Sequence, residues 1–240
     1  MVTQWEAEQR SRAQERLESS PLVTLICLIS NIRRTTHTAW NPPTPDFGTA
    51  GVEKMQVCLM VILPLLWPLI NAQVPHWGPC PEPVTQPAFN FKLFMGRWFE
   101  IAKLPAQFEK GRCIETNFTL QFDGTARVLS SEILKGELRT IEGTAVVEDK
   151  KNPAKLGISF SYVLPYTPYW IISTDYVNSA LVYSCTDVLR LFHVDFAWIL
   201  GRSRSLPDST INHGKEVFTK NNIDVSRMVA SRQQGCDKLP

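Results

Sequence analysis

From Cys113 to Phe122 the side chains alternate. Ile114, Thr116, Phe118, Leu120 and Phe122 share one face, and Glu115, Asn117, Thr119 and Gln121 share the other. A period of two over this length predicts a strand with one apolar face. Asp123-Gly124 supplies a hairpin turn, Ala126 to Leu134 the next strand, and Lys135-Gly136 the next turn. Leu138 to Val147 follows, then Lys155 to Val163, with Leu156, Ile158, Phe160 and Tyr162 on one face. Tyr169 to Thr174, Ala180 to Cys185 and Phe192 to Leu200 continue the series. Together with a strand at Trp98 these make eight strands at hairpin spacing. The pattern predicts an all-β fold: an eight-stranded antiparallel up-and-down barrel whose interior can hold one small ligand. After Arg202 the period changes. Leu206-Pro207-Asp208 opens a segment to about Asn221 with Ile211, Val217 and Phe218 on one helical face, so one α-helix flanks the barrel. Asp208 or Ser209 is its expected cap, and Gly214 weakens it from within. Val225 to Val229 reads as a final short strand.

The first 74 residues have a different character. Met55 to Ala72 reads as a secretory signal: Lys54 precedes it, an apolar core of about fourteen residues follows, and a small residue closes it. A membrane span would need roughly 20 apolar residues, and this run carries two prolines. Residues 1–54 form an N-terminal extension, polar at first and Pro-rich around Pro42, Pro43 and Pro45, expected to be disordered or absent from the mature protein. The folded domain is then 73–240, and the protein is expected to be secreted.

With 44% apolar and 20% charged residues the chain is that of a folded protein. A net charge of +2 without a basic cluster gives no case for nucleic acid. Cys27 and Cys58 fall in the extension and the signal, leaving Cys80, Cys113, Cys185 and Cys236. Four cysteines in a secreted chain imply two disulfides, with three possible pairings. There is no C-x-x-C pair, and His76, His193 and His213 are scattered, so neither a metal nor a cofactor is expected.

Three short pieces carry the identity of the fold: Gly96-Arg97-Trp98 at the entry to the strands, Thr174-Asp175-Tyr176 before the last strand pair, and Arg202 just past it. In that order they resemble the three signature regions of the lipocalins. The resemblance runs from about Cys80 to the C-terminus. It includes longer blocks such as Pro168-Tyr169-Trp170-Ile171, Ala180 to Cys185 and Leu191 to Leu200. It implies that Trp98 plugs the base of the barrel and that Arg202 lies over its ring as a cation–π partner. It pairs Cys80 with Cys185 and Cys113 with Cys236, and makes Asn117 in Asn117-Phe118-Thr119 a glycan acceptor.

The resemblance also implies a carrier of small hydrophobic ligands such as arachidonate and other fatty acids, sterols and steroids, in contact with lipoprotein particles or a membrane surface. Phe118, Phe160 and Trp198 match aromatic pocket positions, and Phe94 stands where a relative has Tyr. Strand parity sets Ser130 and Glu132 beside Val128. If that face points inward, Glu132 is the polar handle of the cavity. Leu164 to Pro168 and Phe192 to Phe196 are the expected apolar contact regions. Where a lipoprotein-associated relative has one further cysteine, this chain has Asp187. The stretch before Pro153 lacks a second glycosylation sequon. No catalytic set is expected. An enzyme on this barrel would need a free thiol facing the cavity, and a protein-binding module with an incidental pocket is the other alternative.

Overall fold

The computed structural model describes residues 75–106, 109–160 and 165–236. The extension 1–54 and the signal 55–72 lie outside the described residues. Ten strands form one sheet: β1 (Pro75–Trp77), β2 (Gly96–Lys103), β3 (Arg112–Leu120), β4 (Ala126–Leu134), β5 (Glu137–Val147), β6 (Lys155–Ser159), β7 (Thr167–Thr174), β8 (Ser179–Val188), β9 (Phe192–Gly201) and β10 (Val229–Ala230). Among the described residues two helices accompany them, the single turn α1 (Phe91–Phe94) and the longer α2 (Asp208–Lys220). From β2 to β9 each strand pairs antiparallel with the next, and β9 returns to β2, closing the barrel with no free edge among the eight.

The seam of that closure is short, and two small strands complete it. Strand β9 pairs with β2 only from Trp198 to Gly201, and β1 takes over its edge at Phe192 to Val194. Strand β2 pairs with β3 only from Gly96 to Phe99, and β10 takes over at Ala102 and Lys103. The side-chain amide of Gln233 donates to Glu100 O and Ile114 O, bridging the gap between β2 and β3. Two disulfides hold these end segments down: Cys80–Cys185 on the amino-terminal side and Cys113–Cys236 on the carboxyl-terminal side. Their sequence separations are 105 and 123, loops for which the chain-entropy model gives about 4–5 kcal/mol each.

Alternation along the strands makes two apolar layers. Inward positions, including Trp98, Phe118, Val128, Leu156, Ile171, Val182 and Leu200, form the core of the barrel. Outward positions of β8 and β9, including Leu181, Tyr183, Ala197 and Ile199, meet Phe218, Ile211 and Val217 of α2. Gly214 lies buried in this contact. A Cβ there would come within 2.9 Å of Leu181 Cδ2 and 3.2 Å of Ile199 Cδ1, so the missing side chain lets the helix sit on the sheet. The glycine that weakens the helix in isolation is thus what allows it to dock.

Several details differ from the sequence reading. The last strand is Val229–Ala230, because Val225 to Met228 is a turn closed by the Met228 N–H on Val225 O. Neither Asp208 nor Ser209 caps α2; Pro207 holds the N-cap position and offers no side-chain bond. Strand β3 ends at Leu120, and Phe122 is fully exposed in the turn. Strand β6 ends at Ser159, and Tyr162 and Val163 lie outside the described residues. The Lys135-Gly136 turn is as read. Both residues have positive φ, which a two-residue hairpin of this twist requires.

Candidate ligand-binding site

One end of the barrel is sealed. Trp98 is completely buried, and its indole N–H donates to Phe94 O at 2.8 Å. The Phe94 ring stacks on Trp98 at 5.1 Å and meets the edge of Phe118 at 5.4 Å. Arg202 covers Trp98 from outside, its guanidinium carbon 3.6 Å from the ring centroid. The same guanidinium ties the floor together. Nε donates to Tyr176 O at 3.0 Å, Nη1 to Arg97 O at 2.8 Å and Nη2 to Met95 O at 2.8 Å. A planar fork with five N–H groups suits this task, which a lysine could not perform. Gly96, at φ +93°, leaves the space; a Cβ there would lie 3.2 Å from Nη1.

The second signature piece presents the carbonyl that Arg202 reads. Asp175 Oδ1 accepts from the N–H groups of Val177, Asn178 and Ser179, while the Thr174 hydroxyl donates to Ser179 O. Burial works against the Asp175 charge, but these hydrogen bonds outweigh it and hold the carboxyl below its ordinary range. The turn leaves Tyr176 at φ +66°, its carbonyl on Arg202 and its hydroxyl accepting from the Asn90 N–H. Gly96, Trp98, Thr174, Asp175, Tyr176 and Arg202 therefore meet at one end of the barrel.

Toward the other end the wall becomes less tightly packed. Phe118 and Val128 are buried, whereas Phe160, Tyr169 and Trp198 pack on the same core yet keep partial exposure. Phe160 lies across Gly143; a Cβ there would come within 2.7 Å of its ring. Tyr169 stands between Phe118 and Trp198, 6.0 Å from each ring. Of the expected pocket residues, then, Phe94 belongs to the floor, while Phe118, Phe160 and Trp198 line the wall. Ser130 and Glu132 share the inward face with Val128. Ser130 Oγ accepts from the Thr116 hydroxyl at 3.2 Å, and Glu132 Oε2 accepts from the Gly111 N–H at 2.8 Å. Any side chain on Gly111 would collide with Glu132. Asn117 lies on the outer face of β3.

The pattern along the chain did not single out a polar group built from β2 and the loop after it. Glu100 lies opposite Leu200 and Lys103 opposite Trp198, so both face inward. A bulge between Glu100 and Ala102 sets two residues three apart on one side of a strand, where period two would separate them. Lys103 Nζ contacts Glu100 Oε1 at 3.0 Å, Glu109 O at 2.8 Å and Glu109 Oε2 at 3.4 Å. The Trp198 indole N–H donates to Glu109 Oε2 at 3.0 Å, and the Ser231 hydroxyl donates to Glu100 Oε1 at 2.6 Å. Two carboxylates thus share one ammonium. Burial, and then the charge of Glu109, push Glu100 up to about 8; Lys103 and Ser231 offset this only in part. Burial and the same two carboxylates also drive the Tyr169 phenol above its ordinary value.

At the mouth, Leu138, Tyr166, Leu189 and Leu191 are exposed. Between Phe192 and Phe196 the expected apolar surface is not found: His193 and Asp195 are buried and the phenylalanines half-buried. The exposed apolar residues there are instead Leu189 and Leu191 of the β8–β9 turn. At the position expected to lack a thiol, Asp187 Oδ1 accepts from the Cys80 N–H at 2.9 Å.

Comparison with known proteins agrees with this geometry. The model of the lipocalin-like domain matches residues 89–233. Apolipoprotein D of Cavia porcellus is 44% identical over 183 residues, 76% of this chain and 97% of the relative. Apolipoprotein D of Mus musculus is 46% identical over 162 residues, 67% of this chain and 86% of the relative. Among solved structures, insecticyanin from the tobacco hornworm Manduca sexta superposes with a TM-score of 0.61 at 26% identity, covering 68% of this chain and 91% of its own. With a closed floor, an aromatic inner wall and this match across more than half its length, the chain belongs to the lipocalin family.

Proposed function

We propose that the chain is a secreted carrier of small hydrophobic ligands, with fatty acids such as arachidonate, sterols and steroids as its cargo, held in the barrel. The observation that carries this reading is the change in packing along the barrel axis. The floor is sealed by Trp98, Phe94 and Arg202, while Phe160, Tyr169 and Trp198 nearer the mouth keep exposed surface on the inner wall. Apolar surface removed from water contributes about 25 cal/mol per Å², enough for a buried acyl chain or steroid to bind at micromolar strength or better before ordering costs. Secretion is supported by the two disulfides, which persist in oxidising compartments, and by the signal read at 55–72. The likeness to apolipoprotein D and the exposed Leu138, Tyr166, Leu189 and Leu191 support contact of the mouth with lipoprotein particles or membranes. Thiol catalysis has no nucleophile among the described residues, because all four of their cysteines are in disulfides.

The test is tryptophan-fluorescence quenching by arachidonate and by progesterone, with Trp198→Phe as control. Saturable quenching that weakens in the variant is the expected result. A folded protein that shows no saturable quenching with either ligand would overturn the broad-carrier reading.

A further inference from the structure

Glu109, in the loop between β2 and β3, is already bound as an acidic ligand would be. Glu109 Oε2 accepts from the Trp198 indole N–H at 3.0 Å and lies 3.4 Å from the Lys103 ammonium, while the Glu109 carbonyl takes a further Lys103 donor at 2.8 Å. Lys103 and Glu100 are on a paired strand, with side chains 9% and 3% exposed; the Glu109 side chain is 21% exposed and sits in the loop between β2 and β3. If one member of the group is to leave, it is Glu109. Beside it the Tyr169 ring lies 6.0 Å from Trp198.

We propose that Glu109 is an internal counter-ion that occupies the head-group position of the barrel, formed by Lys103 and the Trp198 N–H, so that a carboxylate ligand binds only by displacing it while a neutral ligand of the same chain need not. This rests on the carrier reading and deepens it. The exchange conserves charge: one carboxylate leaves Lys103 as another arrives. Glu100 does not fill the position in its place: it is fixed on strand β2, already 3.0 Å from Lys103 Nζ and bonded to the Ser231 hydroxyl, and its burial favours the neutral form. The loop residue then acts as a specificity determinant, setting acids against alcohols and steroids by what the ligand must remove.

The experiment compares the full-length protein with Glu109→Gln by calorimetric titration of arachidonate and of the corresponding alcohol at neutral pH. The amide keeps the shape of the side chain but gives up its charge. Arachidonate should bind the variant about tenfold more tightly, the scale of one charge-assisted hydrogen bond, while the alcohol changes by less than about twofold. Lys103→Met should weaken the acid alone, with unchanged alcohol binding showing that the barrel is intact. Equal shifts for acid and alcohol, or no shift for the acid, overturn the proposal. Absence of binding of either ligand to either protein overturns the carrier reading itself, and this inference with it.

Discussion

Glu100 is a carboxyl enclosed by protein that shares the ammonium of Lys103 with Glu109. Its affinity for a proton rises from the ordinary 4.5 to about 8 on folding, first through burial and then through Glu109. An acid whose pKa is raised in the folded state adds stability that is fully present below the unfolded value and is lost as pH rises through the folded one. The window is therefore about 4.5 to 8, and within it the wild-type protein should become easier to unfold as pH increases. Glu100→Gln removes the titrating group while keeping a neutral side chain of the same size. Urea midpoints at pH 5 and pH 8 should fall more in wild type than in the variant. Parallel slopes would mean that Glu100 stays ionised with Lys103 throughout. Nothing in the amino-acid pattern marks Glu100 for this role, because its neighbours Glu109 and Ser231 arrive from a loop and from the C-terminal tail.

Among the elements, α2 shows how tertiary contact overrides local preference. Gly214 costs helix stability but clears Leu181 and Ile199. Gly214→Val should destabilise the protein by about 1–3 kcal/mol, since overpacking outweighs the few tenths regained in helix propensity. Denaturant unfolding checks this, and a neutral or stabilised variant would show that the helix rides further from the sheet. The sequence made most elements legible, since strands of period two announce themselves. Trp98, Arg202 and the Thr174-Asp175-Tyr176 turn were legible as a set. The pairing of Cys80 with Cys185 came from family resemblance, because cysteine spacing leaves three pairings open. The group of Glu100 and Lys103 stayed hidden for a geometric reason: a bulge breaks the parity on which strand reading depends, and no local residue pattern announces it. Short β1 and β10, of three and two residues, were missed or misplaced because their partners are remote and pairing alone defines them.

At the scale of the whole molecule the two ends of the barrel differ in kind. One end is closed by a buried Trp98, a covering Arg202 and a set of carbonyls bonded to it; the other is ringed by loops with exposed Leu138, Tyr166, Leu189 and Leu191. Disulfides and short strands fasten both end segments of the described domain to the wall. A barrel closed at one end and loaded with cargo as proposed is a blind tube. Traffic in a blind tube is single file: a resident molecule must depart before its successor enters, because no vacancy can be approached from behind. In stopped-flow displacement, the rate at which a bound fluorescent fatty acid leaves should accordingly stay constant as the concentration of competitor is raised. A rate that climbs with competitor would mean that two cargo molecules pass each other at the mouth.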